Sequence, residues 1–225
     1  MADVIQKVED MVAAVTNWDL GSHSRLRCWF RGQGDADWDL QPKLYRGRDS
    51  QSAEEILATE RQLVRDFRLL SASIRSGEQE DSDLYLLEQH YGVATRLLDW
   101  TTHPLIALYF ACEGPKDGKV FFLDAFTLVK SKQPNGKNFG IATARRGGFR
   151  AWIAHIFDWV DKTPDPKIEE TFPIQPEHFD RRITLQQGCF TFHVPASRAI
   201  PEAALAKSFL IPSKRKSHIR NNSPH

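Results

Sequence analysis

The chain has 225 residues, 30 basic against 29 acidic, with 41% hydrophobic and 11% aromatic content, enough for one sizeable core and too short for two independent ones. Near-neutral net charge gives no global attraction for nucleic acid, and with neither an apolar run of about 18 residues nor a signal segment, a soluble, cytoplasmic protein with no membrane partner is expected. Cys28, Cys112 and Cys189 are odd in number, far apart and set among apolar neighbours, which argues against a disulfide framework or a structural zinc site and marks them as small core residues.

Val4, Ile5, Val8, Met11, Val12 and Val15 recur at helical spacing, so residues 4–17 are predicted as an amphipathic opening helix. Residues 25–30 alternate like a strand and deliver Arg31-Gly32 at its end. The following run to Arg46, with its glycines, aspartates and proline, reads as a structured loop. Ser52 and Glu55 have the capping-box spacing and open a long helix over 52–74, with Ile56, Leu57, Leu63, Phe67 and Leu70 on its buried face. An acidic connector then leads to a short helix over 84–91, broken by Gly92.

The stretch 88–112 sets several ionisable groups into an apolar, aromatic-rich run. A buried charge costs several kcal/mol unless it is paired, so Arg96 and Asp99 either satisfy each other and the backbone or face a ligand. Residues 93–100 read as a buried strand or extended segment. Residues 101–112 read as a helix, with Thr102 as N-cap and Pro104 in the first turn. A strand is expected over 119–125, a Gly-rich loop to about 148, a helix over 150–160 and a strand over 171–174. In the run 179–194 the first half is a helix or bulge and the second a strand. A final strand over 208–211 precedes a basic tail, expected to be exposed or flexible, with contact to nucleic acid as its alternative role.

No Walker loop, GxGxxG, HExxH or GxSxG motif is present, and the spacing of His90 and His103 matches no metal pattern, so no metal is expected. What remains is three segments, WFRGQ, ATRLLDWTTHP and RITLQQGCF, each placing polar groups at the edge of a predicted strand. Arg31 offers a fork for phosphate or carboxylate, Gly32 allows close approach of a ligand, Arg96 can pair with Asp99, and Gln187 can bind a hydroxyl or amide. The same residues also fit a buried polar network, Arg31 or Arg96 with Asp99, that fixes the sheet and binds nothing.

Phe30-Arg31-Gly32-Gln33, Trp38-Asp39-Leu40-Gln41-Pro42 with Arg46, Gln89-His90-Tyr91-Gly92, and Thr95-Arg96-Leu97-Leu98-Asp99-Trp100-Thr101 resemble the successive motifs of the FRG domain family. The likeness continues through Pro104, Ala107, Leu108, Phe110 and Ala111 to Arg182-Ile183, Gln187-Gly188 and Phe190. Val93-Ala94 departs from it where members carry a proline before the threonine, and the chain ends soon after Lys216 where relatives continue with a further helix. The resemblance implies an FRG-type domain over 26–211, set between the N-terminal helical segment over 1–25 and the basic tail over 212–225. The implied fold is α+β, a single domain with a mixed, mostly antiparallel sheet and several helices packed on it.

The family's motif order is similar to that of ADP-ribosyltransferases, which implies NAD as substrate. On that likeness Arg31 holds the diphosphate or ribose and Thr95 lies on the second strand. Tyr91, Trp100 or Tyr109 stacks on nicotinamide, Gln187 takes the third position, and Gly32, Gln33 and Arg96 complete the nucleotide contacts. Asp99 then supports the oxocarbenium-like state. The implied activity is ADP-ribosyl transfer or NAD glycohydrolysis, as in a toxin or antiphage effector. The alternative is a binding module for a nucleotide or nucleic-acid end; nuclease chemistry lacks the carboxylate cluster of a two-metal site.

Overall fold

The computed structural model describes residues 3–18, 28–72, 80–130, 142–143, 148–157, 171–176, 187–195, 198–200 and 205–221. The expected strand positions 25–27, the acidic connector, most of the Gly-rich loop and the run holding Arg182 and Ile183 lie outside these residues. The described strands are β1 (Cys28–Gln33), β2 (Leu97–Thr101), β3 (Gly118–Asp124), β4 (Ala142–Thr143), β5 (Phe172–Gln175), β6 (Gly188–Phe192) and β7 (Leu205–Ile211). They form one sheet in the order β4-β5-β6-β2-β1-β3-β7. Only the β4–β5 pair is parallel, so the fold is α+β on a mixed, mostly antiparallel sheet, as expected.

The helices are α1 (Val8–Thr16), α2 (Ala53–Leu70), α3 (Asp81–His90), α4 (Pro104–Ala111), α5 (Ala125–Lys130), α6 (Gly148–Phe157) and α7 (Ser213–Asn221), with a 3-10 turn over Lys43–Tyr45. Among the described residues no helix is long and apolar enough to cross a membrane. Ser52 caps α2 as its spacing predicts: Ser52 Oγ accepts from Glu55 N at 3.2 Å, and Glu55 Oε2 accepts from Ser52 N at 2.7 Å. The inward face of α2 centres on Ile56, Glu60 and Val64. Leu70, expected in the core, is 81% exposed.

Three further expectations are corrected. Val4 and Ile5 are not helical; Val4 bridges to Leu210 in β7, and α1 begins at Val8. The N-cap of α4 is His103 rather than Thr102, and it is Thr101 Oγ1 that accepts from His103 N at 3.0 Å. The expected flexible tail forms α7, which buries Ile219 and Lys216. Lys216 Nζ donates to the carbonyls of Gly34 (2.8 Å) and Glu113 (2.7 Å). Glu113 can accept from a buried ammonium because the turn after α4 leaves carbonyls without helical partners, and Gly34 offers its carbonyl just past the end of β1.

Strand alternation assigns the core. Phe30, Val120, Phe122, Phe209 and Ile211 pack against α1, α4 and α7, while Leu97, Phe190 and Phe192 pack against α2, α3 and α6. Phe30 lies opposite Thr101, so both helix groups cover the same face of the sheet, one over each half. The other face buries Trp29, Leu98, Trp100, Phe121, Leu123 and Cys189. All three cysteines are buried, as predicted.

Under the α2/α3/α6 group lies a charged network in apolar surroundings. Arg96 is fully buried and donates from Nε and Nη2 to Glu60 Oε2, both at 2.6 Å. Tyr85 donates to Glu60 Oε1 at 2.5 Å and accepts from Arg96 N at 2.8 Å, and Trp152 lies under the guanidinium at 4.8 Å. Burial opposes the charge on Arg96, but Glu60, Tyr45 and Tyr85 outweigh it and carry its pKa above the ordinary arginine value. Glu60→Ala leaves that guanidinium buried and uncompensated, so it should cost about 3–5 kcal/mol in denaturant unfolding, with much of the loss recovered in Glu60→Leu/Arg96→Met. A single variant within 1 kcal/mol of wild type, on the order of a surface change, would contradict this account.

Glu88, on α3, is also buried, and Oε1 has no partner among the described residues. Burial, reinforced by nearby Glu60, pushes its carboxyl up from 4.5 to about 8. The folded state therefore binds a proton that the unfolded chain releases. That contribution is fully present below about pH 4.5 and is lost as pH rises through about 8. Stability should fall across this window by up to ~4 kcal/mol, and Glu88→Gln should flatten the fall. Urea titrations from pH 5 to 9 check this; parallel curves for the two proteins would refute it.

Candidate functional site

β1 pairs with β3 over all six of its residues, and β2 with β6 over all five. Between β1 and β2 the register holds only the pair Phe30 and Thr101. Beyond that pair the strands part, and the two helix groups part above them. A cleft of about 600 Å³ opens there, floored by β1, β2 and Gly188 and walled by α4 on one side and the end of α3 with the 3-10 turn on the other.

Arg31 spans the parting strands. Its Nη1 donates to the Asp99 carbonyl at 2.7 Å and lies 3.8 Å from Asp99 Oδ2, while Nε has no partner among the described residues. Its side chain is only 14% exposed, and burial, against the pull of Asp99 and with the push of Arg46, lowers its pKa below the ordinary arginine value. Asp99 lies between buried Leu98 and Trp100 in sequence, yet its side chain is 60% exposed because it faces the gap between the helix groups. Both of its carboxylate oxygens accept from Gln89 Nε2, at 2.9 and 3.0 Å. Lys43 and Arg46 line the same cleft; Lys43 Nζ donates to Gly92 O at 2.6 Å and Arg46 Nε to Gln41 O at 3.1 Å.

The structure therefore brings Arg31, Gly32, Tyr91, Asp99 and Trp100 to one cleft and places the other expected site residues elsewhere. Arg96 pairs with Glu60, not with Asp99. Thr95 precedes β2 rather than lying on it, and is fully buried, with its hydroxyl donating to Gln89 Oε1. Gln33 is buried and donates from Nε2 to Asp39 O at 3.2 Å. Trp100 contributes to the cleft floor but is 3% exposed, and its ring belongs to the opposite core, donating from Nε1 to Thr191 Oγ1 at 3.0 Å. Tyr109 does not line the cleft and stacks under Arg220 at 5.3 Å.

Gln187 does not line the cleft either: its side-chain oxygen accepts from Thr102 Oγ1 at 3.0 Å and its carbonyl from Thr102 N at 3.1 Å, joining β6 to the approach of α4. Gln89, Lys43 and Arg46 had no assigned role in the sequence reading. The signal for Gln89 lies in the Gln89-His90-Tyr91-Gly92 motif and that for Arg46 in the arginine closing the segment after Trp38; Lys43 stands in neither.

Gly32 lines the cleft and also admits a helix against the strand. A Cβ there would sit 1.8 Å from the Ala107 carbonyl oxygen and 2.6 Å from Ala111 N, so α4 lies directly on the strand. Gly32→Ala should push α4 off the sheet and cost at least ~2 kcal/mol, beyond the usual overpacking of a side chain because the obstacle is backbone. Thermal unfolding checks this, and an unchanged melting temperature would disprove it.

Neither curated proteins nor solved structures yield a match to the chain. The family model of the FRG domain matches residues 26–119. That span runs from β1 through α4 and holds every cleft residue except Gly188 and Phe190. The cleft is built almost entirely from the residues that the FRG domain model matches.

Proposed function

We propose that the cleft binds NAD and breaks its nicotinamide–ribose bond, passing the ADP-ribosyl group to an acceptor or to water. The observation that supports this reading most directly is the charge of the cleft. Among the described residues Arg31, Arg46 and Lys43 face one space with a single exposed carboxylate, Asp99, so the site carries excess positive charge where a ligand with two phosphates would supply the balance. Arg31 and Arg46 would hold the diphosphate, and Tyr91, exposed at the rim, offers a ring face for a base.

In the reaction the ribose C1′–N bond breaks and nicotinamide leaves with the bonding pair. The acceptor or water then supplies its lone pair to C1′ and gives up a proton to solvent. Asp99 is suited to stabilising the positive charge that develops at C1′ between these events, in a site whose dipoles are already in place. A general base is not required of Gln187, which cannot serve as one. Consumption of NAD in this way suits a toxin or an antiphage effector.

Non-catalytic nucleotide binding is the second reading, favoured by the position of Gln187 away from the cleft. Incubating the full chain with NAD and quantifying nicotinamide by chromatography, beside calorimetric titration with ADP-ribose, separates the two. Catalysis predicts release by wild type, reduced on the order of 100-fold in Asp99→Asn and abolished with binding in Arg31→Ala. Binding without release selects the second reading. Neither binding nor release overturns both.

A further inference from the structure

We infer that Gln89 is a positioning residue that holds the Asp99 carboxylate in the cleft, and that the buried hydroxyl of Thr95 sets which way Gln89 faces. The inference rests on the reading of Asp99 as the charge-stabilising group. An exposed carboxylate on a strand has several rotamers open to it, and an electrostatic contribution to catalysis depends on its being fixed before the reaction. Two groups fix this one. Arg31 lies 3.8 Å from Oδ2, while Gln89 Nε2 donates to Oδ1 at 2.9 Å and to Oδ2 at 3.0 Å. The closer restraint is the neutral amide.

A glutamine amide can present either end, and the hydrogen-bond chain behind it chooses. Leu97 N donates to Thr95 Oγ1 at 3.1 Å, so that oxygen already serves as an acceptor. Its single proton then goes to Gln89 Oε1. Thr95 is fully buried, so no water competes for that proton. With the amide oxygen engaged inward, the amide nitrogen faces Asp99. The reverse orientation would set the amide oxygen against a carboxylate, leaving both acceptors without a donor.

The chain runs from the backbone of β2 through Thr95 and Gln89 back to β2 two residues later. It closes a loop between the last turn of α3 and the strand, and so ties the carboxylate to the element that forms one wall of the cleft. A threonine two residues before β2 thus acts on the site without touching a ligand.

The test compares wild type, Thr95→Val, Thr95→Ser and Gln89→Leu as full chains. In the nicotinamide assay Thr95→Val and Gln89→Leu should lower kcat about tenfold while KM stays within about twofold, the loss of an interaction used in the transition state rather than in binding. Thr95→Ser should recover most of the Thr95→Val loss, since it keeps the hydroxyl. In parallel, the side-chain amide protons of Gln89 are followed by NMR as Asp99 is titrated with acid. They should shift with Asp99 in wild type and Thr95→Ser and stop following it in Thr95→Val. Wild-type turnover in Thr95→Val, or no recovery in Thr95→Ser, overturns the positioning role. Should wild type release no nicotinamide, the catalytic reading fails, and the NMR comparison still decides the positioning: Gln89 protons indifferent to Asp99 in wild type overturn it.

Discussion

The meeting of β1 and β2 is the constraint on which the rest of the molecule depends. Each strand is fully paired on its outer side, to β3 and β6, yet they share only the pair Phe30 and Thr101. Backbone groups beyond that pair lose their ladder partners, and a buried carbonyl left alone is costly. The Asp99 carbonyl is satisfied by a side chain instead, through Arg31 Nη1 at 2.7 Å. The guanidinium thus takes over part of the sheet's own hydrogen bonding where the sheet divides. The same division separates the helix groups above it, so one arginine both spans the seam and furnishes the cleft that the seam creates.

Two arginines in this region perform opposite tasks because their surroundings differ. Arg96 is fully enclosed with Glu60, Tyr85 and Trp152, a setting in which a charge persists only when its partners are close and fixed. Its backbone is held as well, with N–H on the Tyr85 hydroxyl and the carbonyl accepting from His193 N at 3.0 Å. β2 therefore enters the sheet from a pinned base, and the position of Asp99 three residues later follows from it. Arg31 keeps a small opening to solvent at the cleft, and of the two it is the one able to meet a ligand.

Local signals were legible in the sequence and long-range pairings were not. The capping box at Ser52, the strand residues around Phe121 and the helix start at Pro104 depend on neighbours a few positions apart, and each stands where its pattern put it, within the usual shift of a residue or two at the ends. The partner of Arg96 lies 36 residues upstream. Its signal was a carboxylate on the apolar stripe of α2, four residues after Ile56 and four before Val64, where only a buried cation could answer it. Alternation along β2 also held information that residue chemistry obscured. Trp100 shares a face with Leu98 and is turned away from Asp99, so parity assigns most of its ring to the core on the opposite side of the sheet. The basic end of the chain misled for a similar reason: composition registers four charges, but helical spacing places Lys216 and Ile219 on one side, which is what docks α7.

Gln187 shows how a polar residue in a matching motif can serve shape rather than chemistry. Its φ of 46° is left-handed, a conformation uncommon for a residue with a side chain, and the structure around it must hold it there. Thr102 does so twice, donating its backbone N–H to the Gln187 carbonyl and its hydroxyl to the side-chain oxygen. The turn starts β6 at Gly188, opposite Thr101 and at the one point where the two halves of the sheet still touch. With no side chain, Gly188 leaves the cleft floor open there. The glutamine and glycine that looked like a third contact to ligand are thus what allow β6 to run beside β2 without filling the cleft that Arg31 and Asp99 share.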